Sequence, residues 1–145
     1  MNSYLNYHTL LCSSYYFVIY SIHLQLQDKG IIAGHSMGGH GAWIAAVNTP
    51  DKFSCLASTG SWIRKEDYGT SNAFFHLDIS NTYVDPEVKT ILEKSMAEFH
   101  VDKLVSNLRY MDSHIRVGGA DSTTHPWYSR RMHRLLIQHN VNSTV

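Results

Sequence analysis

The segment Ile31–Trp43, IIAGHSMGGHGAW, sets an apolar run directly against a cluster of glycines around one serine. Few folds accept that order. Ile31 to Ala33 read as the end of a buried strand, GHSMG as a sharp turn, and HGAWIAAVNTP as a helix. Its alanines 42, 45 and 46 are small, and Pro50 lies just past its expected end. FSCLASTG, Phe53 to Gly60, reads as a second strand. Strand, helix and strand at this spacing form a βαβ unit, so the expected fold class is α/β with a parallel sheet.

GHSMG, Gly34 to Gly38, matches G-x-S-x-G, the turn that presents a nucleophilic serine. A serine held on a tight strand-to-helix turn takes a strained backbone conformation, and side chains two residues away would strike the neighbouring backbone. Ser36 is therefore the candidate nucleophile. The backbone N–H of Met37, at the start of the helix, is a candidate oxyanion donor, aided by the helix dipole. Gly39 and Gly41 would let the helix approach the sheet closely. A phosphate-binding reading lacks support: no Lys-Ser/Thr pair follows the glycines, and G-x-G-x-x-G is absent.

Downstream, SWIRKEDYGTSNAFFHLDISNTY reads as loop with short helical pieces. A helix is expected from Asp85 as cap, Pro86 in the first position and Glu87 in the first turn. Val88, Ile91, Leu92, Ser95 and Met96 give it an apolar stripe. The chain should turn near His100 and run as a second short helix to about Asn107. SHIRVGGAD, Ser113 to Asp121, reads as a third strand ending in a loop. Pro126 then opens a helix with Tyr128, Met132, Leu135 and Leu136 on one face and Arg130, Arg131 and Arg134 on the other.

Zero net charge and a charged fraction of 17% give no electrostatic case for a nucleic-acid partner. No basic amphipathic stretch suggests a membrane surface. Cys12 and Cys55 are far apart and in no metal spacing, so two unpaired thiols are expected rather than a disulfide framework or zinc site. Residues 1–27 hold no Asp, Glu, Lys or Arg and five of the nine tyrosines. This leader is a poor membrane span and lacks the marks of a signal peptide. Asp28 is taken as the boundary between the leader, a buried strand, an amphipathic piece or sequence foreign to the ancestral domain, and a catalytic-type unit over 28–145.

GHSMGGHGAW resembles the elbow of α/β-hydrolases in the prolyl oligopeptidase family, and of feruloyl-esterase-like and formylglutathione-hydrolase-like enzymes. GSWIRKEDYGTSNAFFHLDIS and IRVGGADSTTHPWYSRRMHRLL resemble one branch of prolyl-oligopeptidase-domain proteins. The resemblance covers Gly30 to Val145. It implies a partial α/β-hydrolase fold: about three parallel strands with flanking helices and an incomplete sheet.

In that family the triad runs Ser, Asp or Glu, His along the chain. GGADSTTHP fits the loop that carries the acid, with Thr124 where the family has valine, so Asp121 is the candidate. The bland alternative is a loop aspartate capping the helix at Pro126. The resemblance places the catalytic histidine after one more strand, beyond Val145. His133 and His139 fall on the wrong element, and His125 is too near Asp121. His35, His40 and His125 remain candidates for lining a pocket. Nothing before Ile31 resembles the loop that supplies the second oxyanion donor. The resemblance thus implies descent from a serine hydrolase of peptide or ester substrates, acting without metal or cofactor. A peptidase of prolyl oligopeptidase type comes first and a carboxylesterase second. The chain alone is expected to be inactive, or to be a non-catalytic remnant that binds a partner. Asn142-Ser143-Thr144 is a glycosylation sequon, relevant only to a secreted protein.

Overall fold

The computed structural model describes residues 6–12, 17–23, 29–64 and 85–145. In chain order the elements are β1 (Asn6–Cys12), β2 (Phe17–His23), β3 (Gly30–His35), α1 (Met37–Asn48), β4 (Phe53–Thr59), α2 (Pro86–Ala97), β5 (Asp112–Arg116), α3 (Pro126–Gln138) and β6 (Ser143–Thr144). The loop expected between Ile63 and the start of α2 lies largely outside the described residues.

The six strands form one sheet in sequence order. β3, β4, β5 and β6 run parallel, with Ile32 beside Leu56, Leu56 beside Ser113 and Ser113 beside Ser143. β1 and β2 pair antiparallel, and β2 joins β3 antiparallel. The α/β class holds, and the parallel part has four strands. The fourth exists because α3 ends in a reversal: Asn140 takes a left-handed φ of 58°, and Val141 N–H donates to Leu136 O at 2.9 Å. That closure turns the chain back onto the edge of β5.

Helix α1 starts at Met37, three residues before the expected His40. Two glycines in a first turn are poor helix formers, but here they buy proximity. A Cβ on Gly39 would stand 2.7 Å from Ser61 Cβ and 2.9 Å from Ser58 Oγ. Close approach lets Ala42, Trp43, Ala46 and Val47 bury fully against Ile32 and Leu56. Met132 and Leu136 of α3 join the same core with Ile115 and Val141, as their helical spacing predicts. Tyr128 and Leu135 are half-buried.

Two local readings change. The short helix expected before Asn107 is two 3-10 turns, Val101–Lys103 and Val105–Leu108, which bury Val101, Val105 and Leu108. Strand β5 ends at Arg116, before the two glycines, and a loop leads on to Asp121 as read. Helix α2 forms as its cap predicts, with Asp85 Oδ1 accepting from Glu87 N at 2.8 Å and Val88 N at 3.4 Å. Its apolar stripe is nonetheless open: Val88 is 49%, Ile91 64% and Leu92 40% exposed.

Candidate active site

Ser36 is the residue between β3 and α1. Its φ of 54° and ψ of −120° put a non-glycine residue in a region that L-residues avoid. Strain of this kind persists only where the surroundings enforce it. Here Ser36 N–H donates to Thr59 O at 2.9 Å, and Ser36 O accepts from His40 N at 3.1 Å. The turn is also too tight for a side chain at Gly34, where a Cβ would come within 2.1 Å of Gly38 O. The steric reason inferred for that glycine is therefore present.

Ser36 occupies the N-cap position of α1, yet its side chain makes no capping bond. Serine is a preferred cap, so a hydroxyl that caps nothing there leaves its oxygen uncommitted. A helix leaves its first amides without partners. Met37, the first residue of α1, therefore has its N–H at the positive end of the helix dipole, one residue after Ser36.

The carboxyl ends of three strands meet here. Ser36 N–H reaches the end of β4, and Gly60 N–H, just past β4, donates to Arg116 O at the end of β5 at 2.8 Å. Asp121 stands against Gly60 from the far side. Its N–H donates to Gly118 O at 3.1 Å, and its Oδ1 accepts from the N–H groups of Thr123 and Thr124, each at 2.9 Å. Its Oδ2 makes none of these bonds and lies 3.4 Å from the point where a Gly60 Cβ would sit; His35 Nε2 lies 3.6 Å from the same point. One oxygen is thus anchored and the other faces the elbow. The Thr124 and Thr123 amides hold the Asp121 carboxyl below its ordinary range against a smaller desolvation effect, and His35 adds the least.

The capping role considered for Asp121 falls instead to His125, whose Nδ1 accepts from Trp127 N–H at 3.1 Å. Asp121 closes only the turn before it. His35 is exposed beside Gly60, next to the serine and facing the acid. His40 is buried: its Nδ1–H donates to Trp62 O at 2.9 Å, and its ring stacks on Trp62 with centroids 5.3 Å apart. His133 lies on α3, hydrogen-bonded to Ser143 Oγ at 2.9 Å, and His139 follows the end of α3. Among the described residues, no histidine hydrogen-bonds to Ser36 Oγ or to Asp121.

Two supports of the site are not visible in the sequence. Trp43 Nε1–H donates to Ser61 Oγ at 3.2 Å, and the Ser61 and Ser58 hydroxyls bond to each other beneath the elbow. Asp102, with a side chain 6% exposed, gathers Arg64 and Arg131 on a single oxygen, at 2.6 Å and 3.1 Å. The guanidinium of Arg131 also lies over the Trp127 ring, 5.2 Å from its centroid. Arg131 was expected on the solvent face of α3. It is instead half-buried, tying α3 to the segment that precedes β5.

The chain is similar to several known proteins. It is 29% identical over 108 residues to an uncharacterized secreted protein of Arthroderma benhamiae, a match that covers 73% of this chain and 11% of that protein. Its fold matches the crystal structure of a "putative dipeptidyl aminopeptidase IV" from Bacteroides ovatus with a TM-score of 0.60 at 18% identity, over 77% of this chain and 14% of that one. It matches a monoacylglycerol lipase of Paleococcus ferrophilus with a TM-score of 0.52 at 17% identity, over 81% and 57%. The chain therefore spans about a tenth of the length of the secreted relative. The Esterase family, described as "Putative esterase", matches residues 21–131, most of the sheet and the loop that carries Asp121. A glycine-bounded serine on a strand-to-helix turn, with a carboxylate at the next strand ends, is thus carried by a hydrolase-derived α/β domain, and the chain belongs to the Esterase family.

Proposed function

We propose that Ser36 is the nucleophile of an acyl-transfer site that hydrolyses carboxylic esters through an acyl-enzyme. The observation that carries this reading is the strained Ser36 at the N-cap of α1, with a hydroxyl that makes no capping bond. In the proposed reaction Ser36 Oγ attacks the acyl carbon and passes its proton to an imidazole. The carbonyl oxygen becomes an oxyanion facing Met37 N–H. Collapse breaks the ester bond, the alcohol leaves with the proton, and water then releases the acid.

Asp121 Oδ2 would receive the imidazole N–H and stabilise its charged form, while Oδ1 stays pinned by Thr123 and Thr124. Among the described histidines none hydrogen-bonds to Ser36 Oγ or Asp121, so the proposed reaction needs an imidazole supplied to that position. Removing one triad member typically leaves about 10³–10⁴-fold catalysis over water. The family match supports the ester reading. The elbow resemblance favours a second reading, a peptidase of prolyl oligopeptidase type, which the same site would perform with an amine leaving group. The secreted relative supports a secretory route for this chain.

A fluorophosphonate probe tests the proposal, with and without added imidazole. Labelling confined to Ser36, absent in Ser36→Ala and faster with imidazole, is expected. Equal labelling of the Ser36→Ala variant, or none at any imidazole concentration, would overturn it.

A further inference from the structure

We propose that Asn142 carries an N-linked glycan. The proposal rests on the secretory reading above. Asn142-Ser143-Thr144 is the sole Asn-x-Ser/Thr triplet with a non-proline centre in the 145 residues. The fold leaves it accessible. Val141 is buried at 2%, and the alternation of an extended chain turns Asn142 outward, where it is exposed.

The amide is also held in a way that tolerates the modification. Asn142 Nδ2 donates to Asp112 Oδ1 at 2.7 Å. That nitrogen carries two hydrogens. The bond to Asp112 uses one, and a sugar replaces the other. In the transfer, Nδ2 forms a bond to the sugar's first carbon and loses a proton. The bond from that carbon to a lipid-linked pyrophosphate breaks, and the pyrophosphate leaves with its electron pair. The donor is a lipid-linked oligosaccharide, the co-reactant of the secretory route. The surviving N–H keeps its hold on Asp112.

The test uses the protein purified from the organism that makes it. Peptide mapping after glycosidase treatment in heavy-oxygen water should find Asn142 converted to labelled aspartate, and an Asn142→Gln variant expressed in the same organism should lose the mobility shift. Protection of the chain from added protease in the membrane fraction reports entry into the secretory route separately. A protected chain with unmodified Asn142 overturns the site and leaves the secretory reading standing. An unprotected chain overturns both.

Discussion

Gly34→Ala is the sharpest test of why the elbow has its sequence. The added Cβ would meet Gly38 O at 2.1 Å, Gly38 C at 2.3 Å and Gly39 N at 2.7 Å. All three are backbone atoms of the first turn of α1, so no rotamer relieves the clash. The turn must open, which strains the bonds that hold Ser36, its N–H to Thr59 O and its carbonyl to His40 N. Forcing extra volume into a packed site costs about 1–3 kcal/mol. The loss here should reach the top of that range, about 3 kcal/mol, because backbone has to move. For a chain of this size that corresponds to a fall in Tm of roughly 6–12 °C. The comparison is Gly119→Ala, where a Cβ meets nothing within 4 Å and the residue is exposed; its expected change is under about 0.5 kcal/mol. Urea unfolding of both variants supplies the numbers. Equal stabilities for Gly34→Ala and Gly119→Ala would refute the steric account of the elbow.

Asp102→Ala should destabilise the fold by about 2–4 kcal/mol in the same assay. It removes a buried carboxylate and leaves two guanidiniums, each about a third exposed, without it. Asp121 contributes stability as the carboxylate, since its folded pKa is depressed by the Thr124 and Thr123 amides and by His35. That contribution is present above the ordinary carboxylate pKa of about 3.9 and is lost as pH falls through the lower folded value. The stability gap between wild type and Asp121→Asn should therefore narrow as pH drops below about 4, measured by urea unfolding across pH. Cys55 is a free thiol whose pKa burial pushes up, with Asp112 adding to the effect. Alkylation by iodoacetamide at pH 8 should be slower than for a free cysteine, and faster in Asp112→Asn.

The parts of the fold legible in the sequence are those set by local sterics and periodicity. Gly34 and Ser36 define their turn within five residues, because the clash that requires the glycine comes from Gly38 in the same turn. Met132 and Leu136 announce the buried face of α3 by spacing alone, and Asp85 with Pro86 announces the start of α2. Other features depend on segments distant in the chain. Arg131 reads as a solvent-facing charge until Asp102, 29 residues earlier, is brought beneath it. The stripe of α2 shows that the helix has one apolar side, but periodicity says nothing of what lies opposite, and Ile91 is open. His125 as a helix cap was not foreseen, since histidine is not among the preferred caps and Asp121 is. At the site, the serine and the acid were legible as candidates by motif and order. That Asp121 keeps Oδ2 toward Gly60 while Oδ1 is pinned is a matter of loop geometry, which spacing does not encode.

The proposed function depends on acylation of Ser36. The direct measurement is mass spectrometry of the chain after incubation with nitrophenyl acetate and imidazole at low pH quench. The account predicts an acetyl group on the peptide that contains Ser36, absent in Ser36→Ala and reduced in Asp121→Asn. A Ser36 peptide without acetyl under conditions that release nitrophenol, or the same acetylation in the alanine variant, would contradict it.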